Sequence, residues 1–425
     1  MQARLLSRNH GLTTCGYTSK HLAPPGWAID AQFCDLSLYN ARHMNVKKWR
    51  HLRDIRAALV ACILLCTAAC VSLPDTDELL RAPSPHLSSE APAGITDERA
   101  RFRGYFCAEL ERATDRGNAT TCDDWLHRLP DEIANAPKAG SARRPLQALF
   151  VTGAFSECFG ESARPFASAI AELAGSGDDF GTIVVGGRSG TAHNAGQIAE
   201  FLGSWPTSNE KPLVLFGYSK GTSDILQFIV DYPELASRVS AVVSIAGSVG
   251  GSPLADNDSS IYDLLFSHLP SSHCEIGDGH VVDSLRTDTR GQWLAANPLP
   301  GHIRYFSLVA FTTRERVARA LVPSWELLLG HSRRNDGQLL PVHALLPQSS
   351  LLAYLNADHW AVALELENEH EFLGGRPDST PFPHTALLSA TLRLVGQELA
   401  LTDRDRAEFR ASGRHHGSAP DPLRQ

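Results

Sequence analysis

Lys211-Pro212-Leu213-Val214-Leu215-Phe216-Gly217-Tyr218-Ser219-Lys220-Gly221-Thr222-Ser223-Asp224-Ile225-Leu226 is the stretch on which the reading of this chain turns. Leu213 to Phe216 is an apolar run of strand length, and Gly217 to Gly221 spells Gly-x-Ser-x-Gly. Behind it Ile225, Phe228 and Ile229 recur at i, i+3 and i+4, the spacing of one buried helix face. Strand, tight turn and helix in that order are the setting in which a serine is lifted to a turn tip as a nucleophile. The flanking glycines let the backbone pass close to its neighbours, and the helix N-terminus brings partial positive charge beneath the hydroxyl. The ordinary alternative is a glycine-flanked serine that caps a helix.

The same rhythm extends to either side. Leu149-Phe150-Val151 reads as a strand ending at Thr152-Gly153-Ala154-Phe155, followed by a helix around Pro165 to Leu173. Thr182 to Val185 is the next strand, and Asn194 to Leu202 a helix with Ile198, Phe201 and Leu202 on one face. After the central stretch comes a strand at Ala241 to Ile245. Strands separated by helical patterns of this length predict an α/β fold, a mostly parallel sheet wrapped on both faces. Residues 252–300 break the rhythm with frequent Gly, Ser, Pro and His, and read as a cap insertion. It resumes with a strand at Ile303 to Phe311, a helix at Val317 to Leu329, a strand at Ser350 to Leu355 and a closing helix at Ala386 to Leu399. The α/β unit is thus expected over 145–402, with a charged, mobile tail over 403–425.

The N-terminal part is organised differently. From Met44 a basic run, Asn45-Val46-Lys47-Lys48-Trp49-Arg50, leads into an apolar core from Ala57 to Ala69 and then Cys70. Basic head, short apolar core and small residues form an export signal that is too short to span a bilayer comfortably. Its Thr67-Ala68-Ala69-Cys70 ending resembles a bacterial lipobox, with Cys70 as the lipid-modified new N-terminus, although Thr67 stands where such boxes carry leucine. Plain signal cleavage and a short uncleaved anchor are the alternatives. Residues 1–43 then read as a leader upstream of the true start, and 71–96, rich in Pro, Ser, Ala and acidic residues, as a flexible tether. The expected destination is the membrane, with the protein facing the periplasm or cell exterior.

Export changes what the cysteines imply. With Cys62 and Cys66 in the signal and Cys15 and Cys34 before Met44, four remain, Cys107, Cys122, Cys158 and Cys274. In an oxidising compartment an even number favours two disulfides, with three pairings open. Cys107 and Cys122 bracket a short polar segment within 97–144, which makes local pairing the simplest; Cys158–Cys274 follows from it. No Cys-x-x-Cys or clustered histidines suggest a metal. A net charge of −8, with no Lys/Arg cluster outside the N-terminal region, argues against a nucleic-acid surface.

A serine hydroxyl needs a histidine to take its proton and a carboxylate to orient that histidine. After Ser219 the chain offers Asn335-Asp336-Gly337 and Asn356-Ala357-Asp358-His359-Trp360, both in turns that leave predicted elements. Asp336 is also an ordinary turn residue, and Asp358 an alternative acid, though adjacent side chains rarely face one another. Taken together, the Gly-Tyr-Ser-Lys-Gly turn, the Ala246-to-Asp256 run, the Asn-Asp-Gly turn and the late Asp-His resemble bacterial lipases and esterases of the α/β-hydrolase fold, over residues 145–400. The resemblance implies Ser219 as nucleophile, Asp336 as acid and His359 as base. It implies an oxyanion hole from the amide of Lys220 and that of Ala154 or Phe155; the Lys220 side chain itself reads as facing solvent rather than as a catalytic base. Two departures stand out: Thr152-Gly153 replaces the usual His-Gly, and Ala361 stands where a calcium-binding carboxylate would follow the histidine. No metal and no cofactor are therefore expected. The expected partner is a small-molecule or lipid ester, cleaved through an acyl-enzyme; the other reading is an idle surface lipoprotein that keeps the fold as a binding platform.

Overall fold

The computed structural model describes residues 94–114, 121–128, 143–256, 277–365 and 381–413. The signal segment with Cys70, Cys274, the side chain of Cys158 and the end of the chain from 414 lie outside the described residues. In chain order the elements begin with Thr96–Asp97 (β1), Arg99–Thr114 (α1), Cys122–Trp125 (α2) and Leu126–His127 (β2). Gln147–Val151 (β3), Ala167–Glu172 (α3), Asp179–Ile183 (β4), Thr191–Ser204 (α4), Leu213–Tyr218 (β5), Lys220–Asp231 (α5), Pro233–Ala236 (α6) and Val239–Ile245 (β6) follow. The last are Pro253–Asp256 (α7), Thr287–Ala296 (α8), Arg304–Ala310 (β7), Val322–Leu328 (α9), Ser350–Leu355 (β8) and His384–Gly413 (α10).

Among these residues the strands form an eight-stranded sheet in the order β1-β8-β7-β6-β5-β3-β4, with β2 pairing antiparallel to β8 and the other pairs parallel. Period-two alternation decides which helix each strand residue meets. Ala148 and Phe150 of β3 and Val214, Phe216 and Tyr218 of β5 join α1 and α10 on one face, with Phe102, Phe106, Leu387 and Val395. Leu149, Val151, Leu213 and Leu215 face the other way, onto Ile198 and Leu202 of α4 and Ile225, Phe228 and Ile229 of α5. Each such side chain contributes about 1.5–3 kcal/mol on burial, so both faces must be covered. The strands read as continuous apolar runs for that reason.

β3 has β4 on one side and β5 on the other, so the winding reverses there. A reversal leaves a crevice beyond the carboxyl ends of the two central strands. Val151 is in register with Gly217, which brings the turn after β3 beside Ser219.

The described residues 94–114 and 121–128 add to this sheet and its cover. β1 extends the sheet beside β8, α1 packs on α10 with Tyr105 Oη donating to Gln397 Oε1 at 2.6 Å, and a Cys107–Cys122 disulfide joins α1 to α2. Closing a loop of 15 residues contributes about 3 kcal/mol in the chain-entropy picture. β4 lies three residues earlier than expected, because as an edge strand it is only half-buried and lacks a continuous apolar signal. The helix expected from Val317 starts at Val322, where Pro323 occupies the first turn, and α10 runs past Asp403 to Gly413. Within 252–300, the Ser252 amide donates to the Leu285 carbonyl at 2.8 Å and the Thr287 amide to Asp256 Oδ1 at 2.8 Å, tying residues 252–256 to 285–287.

Candidate active site

Ser219 sits between β5 and α5 with φ 54° and ψ −127°, a conformation that side-chain-bearing residues avoid. Its surroundings enforce it. The Ser219 amide donates to the Ile245 carbonyl at 3.1 Å, and its carbonyl accepts the amides of Thr222 and Ser248 at 3.1 and 3.0 Å. Both glycines of the motif are required by close approach: a Cβ on Gly217 would lie 2.5 Å from Thr222 Cα, and one on Gly221 2.5 Å from the carbonyl oxygens of Val151 and Thr152. α5 is thereby pressed against the end of β3, with its N-terminus directed at the serine.

His359 arrives on the turn after β8. Its Nε2 lies 2.8 Å from Ser219 Oγ and its Nδ1 2.7 Å from Asp336 Oδ2. A carboxylate only accepts, so Nδ1 carries the proton and donates to Asp336, which leaves Nε2 to accept from the serine hydroxyl. The backbone holds the ring as well: the His359 amide donates to the Asp336 carbonyl at 2.8 Å, and Tyr218 Oη donates to the His359 carbonyl at 2.8 Å. Burial, and then the charges of Asp336 and Asp358, push the Tyr218 phenol well above its ordinary range, so it stays a neutral donor. The sequence therefore supplied three residues that the structure brings into one hydrogen-bonded line. The other carboxylate, Asp358, points away and accepts the amides of Ala318, Trp360 and Ala361. Burial pushes its carboxyl above the usual range against the pull of those amides.

Beside this line runs the turn after β3. The Phe155 amide donates to the Gly187 carbonyl at 3.1 Å and is thus committed, which leaves Ala154 as the residue of the expected pair to face the cleft. Gly153 makes the close passage possible, since a Cβ there would sit 3.0 Å from Ser219 Cβ. The Lys220 amide is the first of α5, where an N–H has no acceptor within the helix. Ala154, Ser156, Ser248, Ser252, Leu285, Leu339, Trp360 and Leu364 line one cleft with Ser219 and His359. Among the described residues no His/Cys/Asp/Glu group is arranged to hold a metal. His193 is exposed on the first turn of α4 and is not among the cleft residues.

One expectation is corrected. The Lys220 side chain does not face solvent: it is wholly buried, and its Nζ donates to Asp224 Oδ1 at 2.6 Å. The start of α5 is enclosed on all sides, so a charged side chain there must find its partner one turn on. Burial lowers the lysine's affinity for its proton and raises the aspartate's, while the pair's mutual attraction opposes both shifts. Asp224 also accepts from Asn194 Nδ2 at 2.8 Å. The sequence reading overlooked both residues, although Lys-x-x-x-Asp is a helical i,i+4 spacing and could have flagged the first.

A parallel sheet with its winding reversal at β3, a strained serine after β5, and an acid and histidine after β7 and β8 define the α/β-hydrolase fold. The metagenomic carboxyl esterase MGS0156 is 32% identical to this chain with a TM-score of 0.63, over 75% of this chain and 97% of that one. The chain belongs to the α/β-hydrolase family. Bacillus licheniformis lipase BlEst2 in its mature form is 20% identical over 53% of this chain and 90% of its own, with a TM-score of 0.41. EstA from Clostridium botulinum is 15% identical over 52% and 84%, with a TM-score of 0.39. No protein-family model matches the chain, and no curated protein matches it.

Proposed function

We propose that the protein is a serine hydrolase that cleaves carboxylic esters through an acyl-enzyme. The observation that carries this reading is the line Asp336 Oδ2–His359–Ser219 Oγ, with contacts of 2.7 and 2.8 Å, opening into a cleft at the sheet's winding reversal. Ser219 Oγ attacks the ester carbonyl as its proton passes to His359 Nε2, and Asp336 stabilises the imidazolium. The amides of Ala154 and Lys220 hold the oxyanion. Collapse expels the alcohol, which takes the proton from His359; water then attacks the acyl-serine with His359 as base, and the acid leaves. The activity in the name of the 32% identical carboxyl esterase supports cleavage of a carboxylic ester; the substrate we propose is a small-molecule or lipid ester.

A fluorophosphonate probe should label wild type at Ser219. Ser219→Ala should abolish labelling and reduce hydrolysis of short p-nitrophenyl esters below about one part in a thousand, with the thermal midpoint nearly unchanged. A folded wild type that neither labels nor turns over would favour the binding-platform reading.

The basic head, apolar core and small-small-Cys ending at Cys70 support an exported lipoprotein held at the membrane. Radiolabelled palmitate should then enter the protein in a bacterial host, and Cys70→Ser should abolish incorporation and release the protein to the soluble fraction. Membrane retention of that variant would indicate an uncleaved anchor instead.

A further inference from the structure

Two polar lines leave the candidate oxyanion amides and meet. On one side, Lys220 carries the first amide, and its buried Nζ donates to Asp224 Oδ1 at 2.6 Å. Asp224 Oδ2 accepts from Asn194 Nδ2 at 2.8 Å, and the same Nδ2 donates to the Gly186 carbonyl at 3.0 Å. On the other side, Ala154 carries the second amide, and the next residue, Phe155, donates its N–H to the Gly187 carbonyl at 3.1 Å. The Gly187 amide in turn donates to both carboxylate oxygens of Glu157 at 2.9 Å, and Gln197 Oε1 accepts the Gly186 amide at 2.8 Å. Gly186-Gly187 is the node at which the turn after β3 and the start of α5 are fastened to each other. A Cβ on Gly187 would collide with Glu157 and with the Phe155 backbone, so the node is pressed directly against that turn.

We propose that Lys220, Asp224 and Asn194 are positioning residues that brace the Lys220 amide against the Ala154 amide, so that both reach one developing oxyanion. The proposal rests on the esterase reading above. Two donors that grip a single oxygen must keep their spacing, and an error of about 1 Å in such a site can cost a hundredfold in rate. Helix α5 and the β3 turn belong to separate elements, and packing of apolar residues sets their separation less sharply than directional bonds do. Stability alone does not call for the brace, since replacing a buried ion pair by apolar residues of similar volume is often neutral or stabilising. Arg290 of α8 adds a second buried cation whose charge Asp224 feels. Its Nε donates to the Val249 carbonyl at 3.1 Å, so it remains fixed when Lys220 is changed.

The test compares wild type with Lys220→Met/Asp224→Leu, which replaces this ion pair by apolar side chains of similar length and branching and leaves the Arg290 charge in place, and with Asn194→Ala, which keeps the ion pair but cuts the line to Gly186. In the folded double variant kcat on a short p-nitrophenyl ester should fall about 10- to 100-fold, with KM within about threefold. Affinity for a phenylboronic acid, whose serine adduct places an oxygen between the two amides, should weaken in proportion. Asn194→Ala should lose about tenfold in kcat, with fluorophosphonate labelling of Ser219 slowed to match. A merely structural role would lower the thermal midpoint and leave kcat and boronic-acid affinity of the folded protein alone. Unchanged kcat and boronic-acid affinity in folded Asn194→Ala would overturn the proposal whether or not the double variant folds. Wild type that neither labels nor turns over would remove the esterase reading itself, a result distinct from an active wild type with indifferent variants.

Discussion

Asp336 and Asp358 stand on the two turns that precede and carry His359, and locally they are built alike. Each is buried, and each uses Oδ1 to accept two successive main-chain amides: Gln338 and Leu339 at 2.8 and 2.6 Å for Asp336, Trp360 and Ala361 at 2.9 and 2.8 Å for Asp358. They part at the other oxygen. Asp336 Oδ2 meets the imidazole Nδ1 of His359, whereas Asp358 Oδ2 meets the amide of Ala318 at 2.6 Å. A turn-forming aspartate thus has one oxygen committed by local sequence and one left for tertiary structure. Nearness along the chain does not decide where the second one points. For Asp336 the turn reading and the acid reading are compatible, because the two duties fall on different oxygens.

The sharpest way to break this comparison is Asp336→Asn. The carboxamide oxygen can still accept the Gln338 and Leu339 amides, so the turn and the thermal midpoint should hold. Its Nδ2 would then face His359 Nδ1 and enforce the wrong tautomer, with an expected loss in kcat of about a thousandfold or more on a short p-nitrophenyl ester. A nearly silent Asp336→Asn would show that the acid lies elsewhere.

How much of this was legible beforehand follows from where the information sits. The β5–α5 turn was readable because every determinant is local: the apolar strand, the two glycines required by backbone contact, and the i, i+3, i+4 face of Ile225, Phe228 and Ile229. The order Ser219, Asp336, His359 singled out three side chains that the fold assembles at the ends of β5, β7 and β8. What the chain hid depends on distant partners. The apolar residues of α1, Phe102, Tyr105, Phe106 and Leu110, are interleaved with arginines and glutamates, so its place in the core is visible only once α10 and β8 lie against it. That segment also supports the histidine turn, because the Trp125 carbonyl accepts the Asn356 amide at 2.8 Å and the Asp124 carbonyl accepts Asn356 Nδ2 at 3.1 Å. Lys220 was misjudged for the same reason: a lysine after a turn reads as exposed unless the neighbours that bury it are known.

Asp358→Asn is the gentler test, and it approaches the comparison from the other side. An asparagine there can keep its oxygen on the Trp360 and Ala361 amides, but its Nδ2 must then confront the Ala318 N–H, two donors with no acceptor between them. A buried amide left without a partner costs about 1–3 kcal/mol, so the thermal midpoint should fall by several degrees. Turnover should change far less. His359 is held by its own amide on the Asp336 carbonyl and by Tyr218 Oη on its carbonyl, neither of which passes through the Asp358 side chain. Folded Asp358→Asn is therefore expected to keep kcat within about tenfold of wild type. Thermal melts and steady-state rates on both variants decide the matter: a stable but inactive Asp358→Asn beside an active Asp336→Asn would reverse the roles assigned to the two oxygens.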